Sequence, residues 1–84
     1  MKNKEVANAF LAKITGSSLH MYSDGNKLFS YYTCIAQHTN MGIIGNATKY
    51  SSTTSRHLGF IRRYIDLWTT MDVPRGTRTL IDYL

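Results

Sequence analysis

Near neutral pH, four side chains of this sequence could carry acid–base or nucleophilic work: His20, His38, His57 and Cys34. The acids are Glu5, Asp24, Asp66, Asp72 and Asp82, and no two of them form a paired-carboxylate motif. No Gly-rich phosphate loop and no Ser elbow is present. His57 lies in a helix-patterned stretch without a partner at metal-ligand spacing, so neither a metal nor another cofactor is expected. A His-dependent ribonuclease built from His20 and His38 on neighbouring strand ends is the least weak catalytic reading. Ordinary surface or semi-buried histidines are the simpler one, and no catalytic residue is assigned: the chain is expected not to be an enzyme.

A binding chemistry is better supplied. Ser51-Ser52-Thr53-Thr54-Ser55 runs directly into an apolar-periodic segment, so one of Ser51, Ser52 or Thr53 should cap a helix. Free N–H groups at a helix start carry about half a positive charge, and the hydroxyls of Ser52, Thr53 and Thr54 add donors, an arrangement suited to phosphate. Lys49 precedes it and Arg56 lies in its first turn. Arg62, Arg63, Arg75 and Arg78 follow, so the stretch from Lys49 onward holds six bases against three acids. These six cations predict a stripe that tracks a sugar–phosphate backbone, with arginine able to clamp phosphate and stack on bases. Helix capping and a solvated charged face explain the same residues more simply.

Tyrosines are abundant, six in 84 residues. On an open face, Tyr22, Tyr32 and Tyr50 are candidates to stack unpaired bases, each worth ~1–3 kcal/mol. They suit a protein interface or the core equally well.

The elements that must position these groups follow from periodicity. Val6, Phe10 and Ile14 at four-residue steps predict a helix over 3–14, capped by Asn3 and ended by Gly16. Asp24-Gly25 between two β-type runs predicts a hairpin of Ser18–Tyr22 with Lys27–Gln37. Simple alternation would put Phe29, Tyr31, Thr33 and Ile35 on one face of that second strand. A short third strand is expected near Ile43–Asn46. Leu58, Ile61, Ile65 and Trp68 then predict a second amphipathic helix, with Arg62 and Asp66 paired across one turn and close packing at Gly59. After Thr70 the pattern fades: Val73-Pro74-Arg75-Gly76 reads as a turn or loop, and Thr79–Leu84 is too short to assign between strand and helix.

Composition bounds the whole. Apolar residues are 43% and charged residues 18%, with one Pro, as in a folded globule, and 84 residues suffice for one domain, 1–84. The net charge of +5 favours polyanionic partners. A lone cysteine rules out an internal disulfide, and Asn8 and Lys13 break the apolar run a signal peptide would need. No window resembles a membrane span. A cytoplasmic site of action is therefore expected, and the Asn46-Ala47-Thr48 glycosylation pattern is read as chance.

Two stretches also resemble a known module. Leu28-Phe29-Ser30-Tyr31-Tyr32-Thr33-Cys34-Ile35-Ala36, then Asn46-Ala47-Thr48-Lys49-Tyr50-Ser51-Ser52-Thr53-Thr54-Ser55-Arg56-His57, is similar to small bacteriophage and mobile-element proteins. The likeness spans roughly Leu19 to Tyr64. It implies an infected bacterial host cell as the setting and an anti-defence role by binding. Two roles suit a basic surface: an antagonist of a host ribonuclease toxin that also holds RNA, and a protein–protein inhibitor of a host or CRISPR enzyme without nucleic acid.

Together these predict an α+β fold: a small antiparallel sheet of about three strands with a central β-hairpin, packed by two helices. The expected function is nucleic-acid binding, RNA favoured, together with inhibition of a host defence nuclease or toxin. An odd strand count would leave a sheet edge free to form a homodimer.

Overall fold

The computed structural model describes residues 1–70 and 72–84. Helix α1 (Asn3–Leu11) leads into five strands that follow one another antiparallel: β1 (Thr15–Ser17), β2 (Met21–Asp24), β3 (Lys27–Ser30), β4 (Thr33–Thr39) and β5 (Gly42–Gly45). Helix α2 (Ser52–Gly59) then crosses back, and β6 (Leu67–Trp68) joins parallel to β5. A parallel neighbour needs a crossover rather than a tight turn, which residues 46–66 provide. The α+β class and the two helices stand as expected, but the sheet is six-stranded and mixed rather than small, antiparallel and about three-stranded.

Several local features account for the difference. The stretch 27–37 is two strands, because Tyr31 (φ 50°) and Tyr32 (φ 70°) make a two-residue turn between the paired Ser30 and Thr33. Positive φ at both central residues is the type I′ pattern, which Asn-Gly normally supplies, and each L-residue there costs ~1–2 kcal/mol. Beyond the turn, Leu28 pairs with Ala36 but Phe29 pairs with Cys34, leaving Ile35 as a bulge. Ile35 and Ala36 therefore face the helices together while Cys34 faces the other way. The simple alternation expected for Phe29, Tyr31, Thr33 and Ile35 is overturned.

Helix α1 stops earlier than its stripe suggests. Lys2 N–H donates to Glu5 Oε1 at 2.7 Å, closing the first turn, so Lys2 rather than Asn3 is the cap residue. At the other end Lys13 adopts φ 60°, with Lys13 N–H donating to Phe10 O and Ile14 N–H to Ala9 O. This is a Schellman ending with lysine where glycine is usual. It turns Ile14 outward, 55% exposed.

Helix α2 begins as expected, Ser51 Oγ accepting from Thr54 N–H at 3.1 Å. It ends at Gly59 instead of continuing to Trp68. Phe60 and Ile61 close the last turn with bonds to His57 O and Leu58 O, and Ile61 leaves helical geometry at φ −124°. A Cβ at Gly59 would meet nothing within 4 Å, so its role is low helix propensity, not close packing. Asp66, instead of pairing with Arg62, joins the sheet: its N–H donates to Ile43 O and its carboxylate accepts from Ile43 N–H at 2.9 Å.

Both sheet faces are covered at the centre. Val6, Ala7 and Phe10 of α1 and Leu58 of α2, with Ile61 just after it, pack on Met21, Leu28, Ile35 and Ala36. On the opposite face Phe29, Cys34 and Ile44 lie under Val73 and Leu80 of the C-terminal segment. Cys34 N–H to Thr77 O, Gly76 N–H to Thr33 Oγ1 and Leu80 N–H to Gln37 Oε1 pin that segment down. It contains a 3-10 turn at Ile81–Tyr83. Asn46 is buried, its amide donating to Cys34 O and Tyr50 Oη, so the sequon side chain is structural. The edges are strands of three and two residues, short templates for pairing, and the odd-strand premise for a homodimer does not hold. No described helix is long and apolar enough to cross a membrane.

Candidate aromatic and cationic grooves

The C-terminal segment roofs the middle of its sheet face and leaves the β1–β2 end open. There the cross-strand row Ser17, Tyr22 and Phe29 meets the 18–20 loop and the Tyr31–Tyr32 turn. The result is a groove of about 460 Å³, lined among others by Leu19, His20, Tyr22, Phe29, Tyr32 and Arg78. Leu19 is 89% and Tyr32 83% exposed. Tyr22 stacks beside Phe29 at 6.0 Å, and the Arg78 guanidinium sits over the Phe29 ring at 4.6 Å. A guanidinium over a ring is held by the ring's quadrupole, and arginine's N–H donors suit an anion.

Behind the groove, a polar chain ties its walls to the helices. Ser18 Oγ donates to Asn3 Oδ1 at 2.6 Å, and the Asn3 amide lies 3.2 Å from His57 Nε2. His57 Nδ1 is 2.7 Å from Ser30 Oγ, which in turn donates to Thr54 Oγ1. The His20, Tyr31 and His57 rings stack in sequence at 4.8 and 5.9 Å. Ser, His and Asn in a row resemble a nucleophile with its base, but Ser30 is 1% exposed and no substrate can reach it. Burial, with the neighbouring charges of His20 and Arg56, pushes the His57 imidazole below its ordinary value. Every hydrogen-bonding partner of the ring is neutral, which fits an uncharged imidazole.

The six predicted cations do not share one ridge. Arg78 belongs to the groove just described. Lys49 and Arg62 line a second, smaller groove with Ser55 and Trp68, and Arg62 lies over the Trp68 ring at 5.4 Å. Arg75 lies over Tyr50 at 5.6 Å and donates to Tyr50 O. Arg56 and Arg63 are exposed on α2 and on the 3-10 turn Arg62–Tyr64. Because α2 ends at Gly59, a continuous arginine stripe along one helix cannot form.

At the start of α2, Ser52 is exposed and Thr53 half-buried, whereas Thr54 is buried with its hydroxyl engaged by Ser30 and Ser51. Of the stacking candidates, Tyr22 and Tyr32 converge in the first groove. Tyr50 does not: its hydroxyl donates to Val73 O, fixing the C-terminal segment. His20 and His38 lie at opposite ends of the β2–β3 hairpin, Tyr31 N–H donating to His20 O and His38 N–H to Asn26 O, so they form no catalytic pair. His38 is engaged with Phe10 O at 2.7 Å. Sequence reasoning did not single out Leu19, Phe29 or Trp68 as groove residues. Leu19 and His20, expected in a strand over Ser18–Tyr22, instead form a bend before β2.

The chain belongs to the Family of unknown function (DUF8033), whose sequence model matches residues 2–72. That match takes in both helices and all six strands, and it stops before the segment carrying Arg75 and Arg78. No curated protein and no solved structure matches the chain.

Proposed function

We propose that this protein binds single-stranded nucleic acid, RNA favoured, with bases against Tyr22 and Tyr32 and a phosphate on Arg78. The observation that carries this reading is the convergence of two exposed tyrosines, His20 and a ring-mounted arginine in one open groove. Stacking surfaces beside cations are the means by which unpaired strands are held, whereas a duplex hides its base faces. The Lys49–Arg62–Trp68 groove offers a second cationic and aromatic station, and the net charge of +5 supports polyanion capture.

The wider proposal, antagonism of a host ribonuclease toxin or defence nuclease, draws its support from the likeness of the Leu28–His57 module to phage proteins. The groove would serve it by occupying RNA or by docking on the enzyme.

Titration of a labelled single-stranded RNA against the protein, repeated over a salt series, tests the binding. Affinity should fall linearly in log–log form, and R78A should weaken binding and reduce the slope by about one. Salt-insensitive binding would count against the phosphate contact, and equal affinity for duplex DNA would count against the stacking account.

A further inference from the structure

We infer that the Tyr31–Tyr32 turn is a preformed ligand-contacting element, its strain maintained so that Tyr32 presents its ring to an unpaired nucleobase. This rests on the nucleic-acid reading above and assigns the base contact within it. Both residues occupy left-handed backbone that Asn-Gly would adopt freely. The two side chains are treated differently by the fold. Tyr31 is held inside the His20–Tyr31–His57 stack, and its N–H donates to His20 O at 3.1 Å. Tyr32 has the same unfavourable backbone, yet its side chain is 83% exposed. Strain left without an internal return is characteristic of binding sites.

The geometry names the occupant. The stacked Tyr31 fixes the turn that carries Tyr32 on one wall, Tyr22 and Phe29 form the floor, and Arg78 lies on Phe29. A flat aromatic group bearing a negative charge fits these surfaces, and the groove volume of about 460 Å³ suits a nucleotide-sized ligand rather than a helix of duplex.

The test compares wild type with Y32G, Y32F and the double variant Y31N/Y32G, using a single-stranded RNA about 12 nucleotides long. Y32G should unfold at higher temperature, because its turn position is relieved, whereas the double variant, which also loses the Tyr31 ring from the His20–His57 stack, should gain less. Their affinity at fixed salt should fall about tenfold, as loss of one stacked base implies, with the salt slope unchanged because no charge is removed. Y32F, which keeps the ring, should bind as wild type. Wild-type affinity in Y32G, or a lower unfolding temperature, overturns the inference and removes Tyr32 from the base contacts, while binding through Tyr22 and Arg78 still stands. Failure of the wild type itself to hold the RNA overturns both and leaves the groove to a protein partner.

Discussion

His57 is a residue whose acid–base chemistry folding alters. Its ring is buried among Asn3, Ser30 and Tyr31 and is held below its ordinary pKa of 6.5. Below about pH 6.5 the unfolded chain therefore takes up a proton that the native chain resists, and stability must fall as pH drops from there toward the lowered native value. Denaturant unfolding at several pH values should show full stability above that point and a decline beneath it, and H57Q should flatten the decline. Identical pH profiles for the two proteins would contradict this. Cys34 is the opposite case, an inert group: burial raises its thiol to about 12, so thiol reagents should leave it untouched until the chain unfolds. Lys13, in left-handed backbone at the end of α1, is a local weakness, and K13G should raise stability by ~0.5–1 kcal/mol in the same unfolding assay. A loss would mean that the lysine side chain compensates for its backbone.

At the scale of elements, the sequence was most legible where a turn signal and a period agreed. Asp24-Gly25 marks the β2–β3 hairpin, with Asp24 Oδ1 accepting from Asn26 and Lys27 N–H and Gly25 at φ 93°. The Ser51 cap is of the same kind. What stayed hidden was set by tertiary structure. Nothing local marks Tyr-Tyr as a type I′ turn, since tyrosine is a strand former. Ile61, Ile65 and Trp68 keep helical spacing although Gly59 has ended α2, because a 3-10 turn and a short parallel strand send them to the same core. The parallel β5–β6 pair depends on close approach. A Cβ at Gly45 would come within 2.8 Å of Ile65 Cγ2 and 3.0 Å of Trp68 Cε3. G45A should cost about 1–3 kcal/mol in thermal or denaturant unfolding, and a neutral effect would show that the β6 edge yields easily.

Over the whole molecule, the two sheet faces have different uses. One is sealed by α1 and α2, while the other is half roofed by residues 73–84, and its open half becomes the groove. The sequence singles out Tyr22, Tyr32 and Arg78 as candidates but reads the cations as one stripe over the second helix and the loop after it. The convergence of Arg78 with the tyrosines comes from the C-terminal segment folding back across the sheet, a long-range event that no local pattern encodes. The central claim is the location of binding, and amide chemical-shift mapping during titration with single-stranded RNA tests it most directly. The account predicts that the shifts concentrate on residues 17–22, on 29–32 and on Arg78, with a weaker set near Lys49 and Arg62. Shifts confined to surfaces outside both grooves, or none at all, would contradict it.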